Sequence, residues 1–309
     1  MILALDLGGT KLASALFTSE GEIVKKSTVY LQSRSGKEVG KLITDHIKEY
    51  LIEKYSIYGI GLSVPGISRN KTGTVWAPNI PGWEDYAIIQ EIKSSVGDDM
   101  IVKMDSDRAC GILGEAWKGN AMNTQDAIFL TIGTGIGAGI LVNGQILRGS
   151  NDIAGAIGWM ALDKPFHSKY LPYGCFEYYV SGDGIVRMTH EIMNSSPDYN
   201  GILKQGEFTA HDVFNLAGNN DVLAVQVLRE CIVYWGMACA NLISIFNPEK
   251  IIFGGGVFGP AKKYIDDIKQ ESGKWAQPIS MTQVHFLSSA LDNQAALYGA
   301  AYLALKSIQ

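Results

Sequence analysis

Short hydrophobic runs that end in glycine-rich turns alternate along this chain with longer stretches of helical spacing. Residues 2–24 follow a pattern of strand, glycine turn, strand, turn and strand, and residues 37–54 carry apolar side chains at helical spacing. The segments YGIGLSVPG (58–66) and IVKMDSD (101–107) predict buried strands, and the second runs into a helix. This alternation predicts an α/β fold with largely parallel strand pairing.

A second unit with the same pattern begins near residue 120. Residues 127–147 repeat the pattern of residues 2–24, with two residues fewer in the second hairpin. The repeat predicts two domains of related topology. Residues 160–220 have the irregular, polar composition of an insertion, and residues 221–246 predict a long apolar helix. A strand with a glycine turn, a last strand and an alanine-rich helix are predicted at residues 250–260, 283–289 and 292–307.

Charge and composition narrow the classes of function. The net charge of −5 argues against a sequence-independent grip on nucleic acid, because that requires a basic face. Gly, Asp or Asn interrupts the apolar runs well short of the roughly 18 residues of a membrane span. The N-terminus lacks the basic region of a signal peptide, so we expect a cytoplasmic protein. The four cysteines form no CxxC pair, which favours buried, reduced thiols.

Three glycine-rich turns follow predicted buried strands, at residues 8–10, 133–139 and 254–259. Glycine lets backbone N–H groups approach an anion closely, so two such turns can hold a polyphosphate. The alternative is that they are only tight hairpins. No turn matches the GxxxxGK[ST] sequence of a P-loop. Residues 254–259 match GxGxxG, but this motif lies late in the chain and precedes a proline, so we do not expect a nicotinamide dinucleotide.

Carboxylates stand at the ends of two predicted strands, where an α/β sheet presents catalytic groups. Asp6 lies beside the first glycine turn, where a carboxylate suits a hydrated Mg²⁺ that bridges phosphates. Asp107 ends another strand and opens a helix, and Asp105 precedes it by two residues. A carboxylate near phosphate can deprotonate an attacking hydroxyl. The alternatives are that Asp6 caps a turn and that Asp107 is a helix N-cap.

These segments together resemble the ROK family of sugar kinases and sugar-responsive repressors, within the actin-like/hexokinase ATPase superfamily. The resemblance runs over nearly the whole chain. DSDRACGILGE (105–115) resembles the family segment E-N-D-x-N-x-x-x-x-G-E and puts Asp107 at the catalytic base. The other segments resemble the two phosphate motifs, the two sugar-loop signatures and the adenosine motif: LDLGGTK (5–11), TIGTGIGAGILVNGQILRG (131–149), SVPG (63–66), APNIPGW (77–83) and PEKIIFGGGV (248–257).

The resemblance implies two RNase H-like α/β domains with ATP and Mg²⁺ in the cleft between them, and a sugar hydroxyl, usually the primary one, as phosphate acceptor. It places the N-terminal actin-like domain at residues 1–118 plus 292–309, because the C-terminal helix returns to it, and the C-terminal domain at residues 119–291. It often implies a homodimer. Family repressors carry a helix-turn-helix ahead of the kinase region. Since the first strand starts at residue 2, we expect no repressor role. From the charge and the short apolar runs we expect no nucleic-acid and no membrane partner.

The resemblance also assigns residues to the site. It gives the role of catalytic base to Asp107, and Asp6 would hold Mg²⁺ through water. ATP and phosphate binding fall to Asp6, Gly8, Gly9, Thr10, Lys11, Gly133, Thr134, Gly135, Gly255 and Gly256. Sugar binding falls to Ser63, Gly66, Asn79, Ser106, Asp107, Trp159 and Glu177.

The segment IAGAIGWMAL (153–162) departs from the family pattern A-G-E-x-G-H. The Glu and His of that pattern contact sugar hydroxyls, and this chain has Ala156 and Trp159 in their places. Trp159 can stack on a sugar face or on an apolar aglycone, or it can fill the core where a zinc-bound knob would pack. Ser106 likewise replaces the Asn that usually precedes the catalytic Asp.

The zinc segment of the family, C-x-C-G-x-x-G-C-x-E, retains only Cys175 and the sugar-contacting Glu177. A structural zinc site usually takes four N or S ligands, and His167 with Cys175 supplies two. We therefore predict no zinc.

Two hypotheses of function follow. The leading one is an ATP-dependent carbohydrate kinase with non-standard sugar recognition, in which Asp107 accepts the proton of the attacking hydroxyl. The alternative is a nucleotide-binding, kinase-like sensor or binding protein without turnover, because the Glu and His contacts are lost. Phosphorylation of a non-sugar acceptor on the same fold is a third possibility.

Overall fold

The computed structural model describes residues 1–53 and 55–308. Lys54, the last residue of the helix predicted at 37–54, and Gln309, the last of the predicted first domain, lie outside the described residues. The chain divides into two compact units. Unit 1 contains Met1–Asn123, Ile146–Ala154 and Gln294–Gln309, and unit 2 contains Thr124–Gln145 and Gly155–Asn293. We call Ile146–Ala154 the return segment, since it groups with unit 1 although the sequence pattern places it in the second domain.

Strands dominate the start of the chain, and helices dominate its second half. Up to residue 123 the elements are β1 (Ile2–Leu7), β2 (Lys11–Phe17), β3 (Ile23–Tyr30), α1 (Gly36–Ile52), β4 (Gly59–Val64), β5 (Ile67–Arg69), β6 (Thr74–Trp76), α2 (Ile88–Val96), β7 (Ile101–Ser106) and α3 (Asp107–Lys118). They continue with β8 (Ala127–Ile132), β9 (Ile136–Val142), β10 (Gln145–Ile146), α4 (Cys175–Val180), α5 (Gly182–Asn194), α6 (Ala210–Gly218) and α7 (Val222–Phe246). The last are β11 (Lys250–Gly254), α8 (Phe258–Ala261), α9 (Ile265–Ser272), α10 (Pro278–Gln283), β12 (His285–Ser288) and α11 (Ala295–Leu305).

Unit 1 is built on a five-stranded sheet with the strand order β3-β2-β1-β4-β7. Strands β1, β4 and β7 run parallel, and β2 and β3 join them as an antiparallel meander. Successive residues of β1 point to opposite faces: Leu3 and Leu5 join a core with α1 and α2, whereas Ile2 and Ala4 join a second core with α11. Burial on both faces explains why β1 is an unbroken apolar run up to Asp6.

Small residues allow α11 to approach α3 and the sheet of unit 1 closely. A Cβ added at Gly299 would collide with the backbone carbonyl of Cys110 on α3. Ala300 and Ala304 are fully buried in the same core. The prediction of a closely packed, alanine-rich final helix is therefore confirmed.

Unit 2 repeats the sheet of unit 1, with the strand order β10-β9-β8-β11-β12. Strands β8, β11 and β12 are parallel, and β9 pairs antiparallel with β8. The two sheets have the same strand order, and β8 pairs with its two neighbours in the same directions as β1 does. The repeat predicted from the glycine-turn patterns is thus a repeat of sheet topology.

The region 160–220 is not the irregular insertion that its composition predicts. It forms α4, α5 and α6, together with short 3₁₀ turns at Ser168–Tyr170 and Ile202–Lys204, and a further 3₁₀ turn at Ile157–Trp159 precedes it. Helix α7 follows, and by length and composition its 25 residues could cross a membrane. The sequence pattern predicted no such segment. Half of the most apolar window of α7 is buried inside the protein, where it contacts α4, α5, α6 and α9 of unit 2, as expected of a core helix.

Candidate functional site

Polar side chains of unit 1 gather at the carboxyl ends of its parallel strands. The strand register pairs Asp6 of β1 with Ser63 of β4, and Ser63 with Asp105 of β7. The Ser63 hydroxyl donates a hydrogen bond to Asp6 Oδ1 at 2.7 Å. Three neighbouring strands therefore present two carboxylates and a hydroxyl at one edge of the sheet.

Asp6 has an unusual protonation equilibrium. Its pKa is raised from 3.8 to about 6, chiefly by burial. The carboxylate of Asp107 raises this pKa further, while the hydrogen bond from Ser63 and the charge of Lys11 lower it. Mg²⁺ takes one or two carboxylates, water and phosphate oxygens, and a cation here would relieve the repulsion between the two carboxylates. The donor set around Asp6 therefore fits Mg²⁺.

Asp107 opens α3 but does not cap it. The N-cap is Ser106, whose Oγ accepts a hydrogen bond from the Ala109 amide at 3.4 Å, so the capping alternative for Asp107 is wrong. Oδ1 of Asp107 accepts from the Arg108 amide at 2.7 Å. Burial raises the pKa of Asp107, and the charge of Arg108 opposes that rise. The carboxylate of Asp107 is thus held at the N-terminus of α3 with a raised pKa.

Two arginines that the sequence did not single out surround these carboxylates. Arg148 of the return segment forms an ion pair with Asp105, a residue that is only 3% exposed. Burial raises the pKa of Asp105, and Arg148 opposes this effect. Arg108 binds backbone carbonyls on two other segments of unit 1. The sequence signal that could have identified both arginines is their position, because each directly follows the end of a predicted strand.

The first glycine turn and the predicted sugar loop meet within unit 1. The Gly8 amide donates to the Lys11 carbonyl at 2.9 Å, which closes the turn around Gly9 and Thr10. A Cβ added at Gly9 would lie 2.9 Å from Asn79 Nδ2, so the exposed amide of Asn79 packs against this turn. Phosphate-turn and sugar-loop candidates are thus brought together.

The two glycine turns of unit 2 also converge. The Gly133 amide donates to the Gly135 carbonyl at 2.9 Å, and the Gly182 amide at the start of α5 donates to the Gly133 carbonyl at 2.7 Å. The Val257 amide donates to the Ile132 carbonyl at 3.0 Å, which joins the turn after β11 to the end of β8. These hydrogen bonds fix the turn after β8 and the turn after β11 relative to each other.

A cavity of about 610 Å³ opens beside these turns. Its volume lies in the range of small-molecule sites. Predicted residues Gly133, Thr134 and Gly256 line it, whereas Gly135 and Gly255 are not in its lining. The remaining wall comes from residues that the sequence pattern missed: Gly182, Asp183, Val186, Arg187, Phe208, Thr209, Ala210, His211, Phe214, Val257 and Pro260. Most of these belong to the region predicted as an insertion.

Glu177 binds the backbone directly after the glycine turn at residues 133–135. Its Oε2 accepts a hydrogen bond from the Ile136 amide at 2.7 Å. A Cβ added at Gly158 would lie 2.9 Å from the same oxygen. Burial raises the pKa of Glu177, and the Ile136 hydrogen bond opposes that rise. The carboxylate therefore connects α4, the 3₁₀ turn at Ile157–Trp159 and the start of β9.

Trp159 is a surface side chain. It ends the 3₁₀ turn after Ala156 and is 59% exposed, whereas Ile157 and Gly158 are buried. The core-filling alternative for Trp159 is therefore wrong. The backbone of Trp159 packs tightly on Gly174, where a Cβ would collide with the chain. Its indole is therefore open to solvent.

Tyrosines hold the segment in which His167 and Cys175 lie. The Tyr170 and Tyr179 hydroxyls are 2.8 Å apart, and Tyr179 also donates to Asp163 Oδ2 at 3.1 Å. Among residues 1–53 and 55–308 no three His, Cys, Asp or Glu side chains cluster as metal ligands would. The absence of zinc remains a prediction.

Known proteins resemble this chain over nearly its full length. The model of the ROK family matches residues 2–307. The glucokinase of Halalkalibacterium halodurans is 33% identical over 97% of this chain and 94% of its own length. The β-glucoside kinase of Listeria monocytogenes is 28% identical over 97% of this chain and 96% of its own length.

A solved structure agrees with these sequence matches. The ROK family glucokinase from Streptomyces griseus, in complex with glucose and AMPPNP, superposes with a TM-score of 0.78 and 27% identity, over 99% of both chains. Its fold is that of the actin-like ATPases. The family match, the curated relatives and the two repeated sheets agree, and the chain belongs to the ROK family.

Proposed function

We propose that this protein is an ATP-dependent carbohydrate kinase that transfers the γ-phosphate to a sugar hydroxyl, and that the acceptor is the primary hydroxyl. The observation that carries the proposal is the position of the Asp107 carboxylate. It lies next to Asp6, and it does not cap α3, because Ser106 is the N-cap. The glycine-lined cavity of unit 2 supports it, because backbone amides at such turns bind phosphate. Relatives named glucokinase and β-glucoside kinase support the same class of reaction.

In the proposed reaction Asp107 accepts the proton of the attacking hydroxyl as that oxygen forms a bond to the γ-phosphorus and the bond to ADP breaks. Amides of the glycine turns at residues 8–10 and 133–135 stabilise the charge on the transferred group. Bound Mg²⁺ would supply charge neutralisation at the phosphates, with Asp6 holding it through water. Gly255 and Gly256 position the nucleotide.

Sugar recognition is proposed to differ from that of an ordinary glucose pocket. Ala156 and Trp159 offer no carboxylate and no imidazole, so two polar contacts to the ring hydroxyls are lost. Each such loss costs about 1–3 kcal/mol in a buried site. The exposed indole of Trp159 can stack on a sugar face or on an apolar aglycone instead. Ser63, Gly66, Asn79, Ser106 and Glu177 are proposed to complete the sugar site.

A coupled assay of ADP release tests the proposal, with hexoses, amino sugars, ketoses and β-glucosides as acceptors. We expect sugar-dependent turnover with at least one acceptor, and a fall in kcat of about 10²–10⁴-fold in Asp107→Asn. The exposed Asp98→Asn is the matched control in the same unit. Undiminished turnover in Asp107→Asn would show that another group is the base.

The second candidate is a nucleotide-binding sensor without turnover, which the lost polar contacts at Ala156 and Trp159 favour. It requires binding of an ATP analogue by calorimetry and no phosphate transfer to any acceptor. Detectable sugar phosphate, measured by mass spectrometry, rules this candidate out.

A further inference from the structure

Arg108 binds three backbone carbonyls next to Asp107. Its Nη1 donates to the carbonyl of Gly66 at 3.1 Å, and its Nη2 and Nε donate to the carbonyls of Asp152 and Ala154 at 3.3 Å. Gly66 follows β4, whereas Asp152 and Ala154 belong to the return segment. One guanidinium therefore joins two distant pieces of chain to the first turn of α3.

The return segment has two further anchors in unit 1. The backbone amide and the Nδ2 of Asn70 donate to the Asp152 carboxylate at 3.2 and 3.0 Å. Arg148 pairs with Asp105 at the end of β7. Asp152 itself has a φ of +59°, a conformation that non-glycine residues seldom adopt without supporting contacts. These contacts hold a tight turn at the edge of the sheet that carries Asp107.

We propose that Arg108 is a positioning residue. It fixes the Gly66 turn and the return segment, which together form the sugar-binding wall beside Asp107, so that this wall is preformed before the sugar binds. This inference rests on the proposed kinase function. The planar guanidinium presents several donors in a fixed geometry, which a lysine ammonium cannot reproduce. Preforming the wall removes an ordering cost that sugar binding would otherwise carry.

The test compares Arg108→Met and Arg108→Lys with the wild type in the full-length protein. Arg69→Met is the matched control, because Arg69 of unit 1 binds the carbonyl of Glu84 and the carboxylate of Asp85 at the surface. Hydrogen exchange of residues 146–154 is measured without ligand, and KM and kcat are measured with the accepted sugar.

We expect exchange in the return segment to accelerate about tenfold in Arg108→Met, and KM for the sugar to rise about tenfold while kcat changes less than about threefold. Arg108→Lys should resemble Arg108→Met, because it keeps the charge but not the three-way geometry. Arg69→Met should behave as the wild type. A general loss of stability would instead accelerate exchange throughout the unit.

Unchanged exchange of the return segment in Arg108→Met overturns the proposal, whatever the kinetics. If the wild type phosphorylates no sugar, the proposed function fails by itself, and the exchange comparison still decides whether Arg108 holds the segment. If Arg108→Met does not fold, the exchange measurement on Arg108→Lys decides, because lysine keeps the charge but cannot bind the three carbonyls at once. Unchanged exchange there likewise overturns the proposal.

Discussion

The Glu177 carboxylate accepts a hydrogen bond from the Ile136 backbone amide, and this bond attaches α4 to the turn that lines the cavity of unit 2. Glu177→Ala should therefore weaken binding of an ATP analogue in the absence of sugar. A hydrogen bond to a charged group contributes about 1.5–3 kcal/mol, so we expect a loss of roughly tenfold or more by calorimetry.

Glu177→Gln retains an acceptor oxygen and should keep the affinity within about threefold. Glu230→Ala, on the exposed surface of α7, is the control. Equal affinities of Glu177→Ala and the wild type would mean that the turn keeps its shape without this carboxylate.

Asp6 should make the protein less stable as the pH rises. Its native pKa of about 6 lies above the ordinary 3.8, so the unfolded chain releases this proton first. Stability is therefore lost between about pH 4 and pH 6 and stays lost above that window. We expect Asp6→Asn to raise the free energy of unfolding by about 1–3 kcal/mol at pH 7.5, and by little at pH 4.

Urea denaturation at the two pH values measures this difference, with the exposed Asp99→Asn as control. Asp6→Asn should at the same time abolish the response of nucleotide binding to Mg²⁺. A variant that is less stable than the wild type at pH 7.5 would contradict the assignment of a raised pKa to Asp6.

Trp159→Ala should weaken sugar binding while leaving the free energy of unfolding nearly unchanged. Because the indole is 59% exposed, its removal should change the free energy of unfolding by less than about 0.5 kcal/mol. Loss of a stacking surface should raise KM for the accepted sugar by about tenfold, with a larger effect for an aryl β-glucoside than for the free sugar. Trp275→Ala, at a 62% exposed tryptophan of unit 2, is the control. An unchanged KM for both acceptors would exclude Trp159 from the sugar site.

Tyr179→Phe should destabilise unit 2. The change removes a hydroxyl that contacts Tyr170 and Asp163, which keep only their own hydrogen bond at 3.3 Å, at a cost of about 0.5–1.5 kcal/mol. Thermal unfolding should show a lower Tm, with the exposed Tyr30→Phe as control. Since we predict no zinc in this segment, a chelator should leave the Tm of the wild type unchanged. A chelator-dependent Tm would reveal a metal instead.

The strands and glycine turns were predictable because their signals are local. Asp6 and Gly8 stand where an apolar run stops, and the same pattern of a polar residue, an apolar residue and a glycine recurs at Thr131 and Gly133. Helix α5 was missed because it begins with Gly182, Asp183 and Gly184, which are turn residues by composition. Helix α6 had a usable signal, the capping box of Thr209 and Asp212.

The details of the site depend on contacts that no local pattern contains. Ser106 and Asp107 are both good N-cap residues, and the choice between them is made by the end of β7. The partners of Arg108 are carbonyls about 40 residues away along the chain, which carry no side-chain signature. The family resemblance located Asp107, and the structure supplied its neighbours.

The position of α11 has a consequence for synthesis. This helix covers Ile2, Ala4, Ala15 and Phe17, all of which are synthesised long before it. As the ribosome releases the chain, that apolar face stays uncovered until α11 emerges. A nascent chain stalled shortly before residue 295 would therefore contain a complete unit 2 beside a half-covered sheet, a species that chaperones bind and proteases cleave.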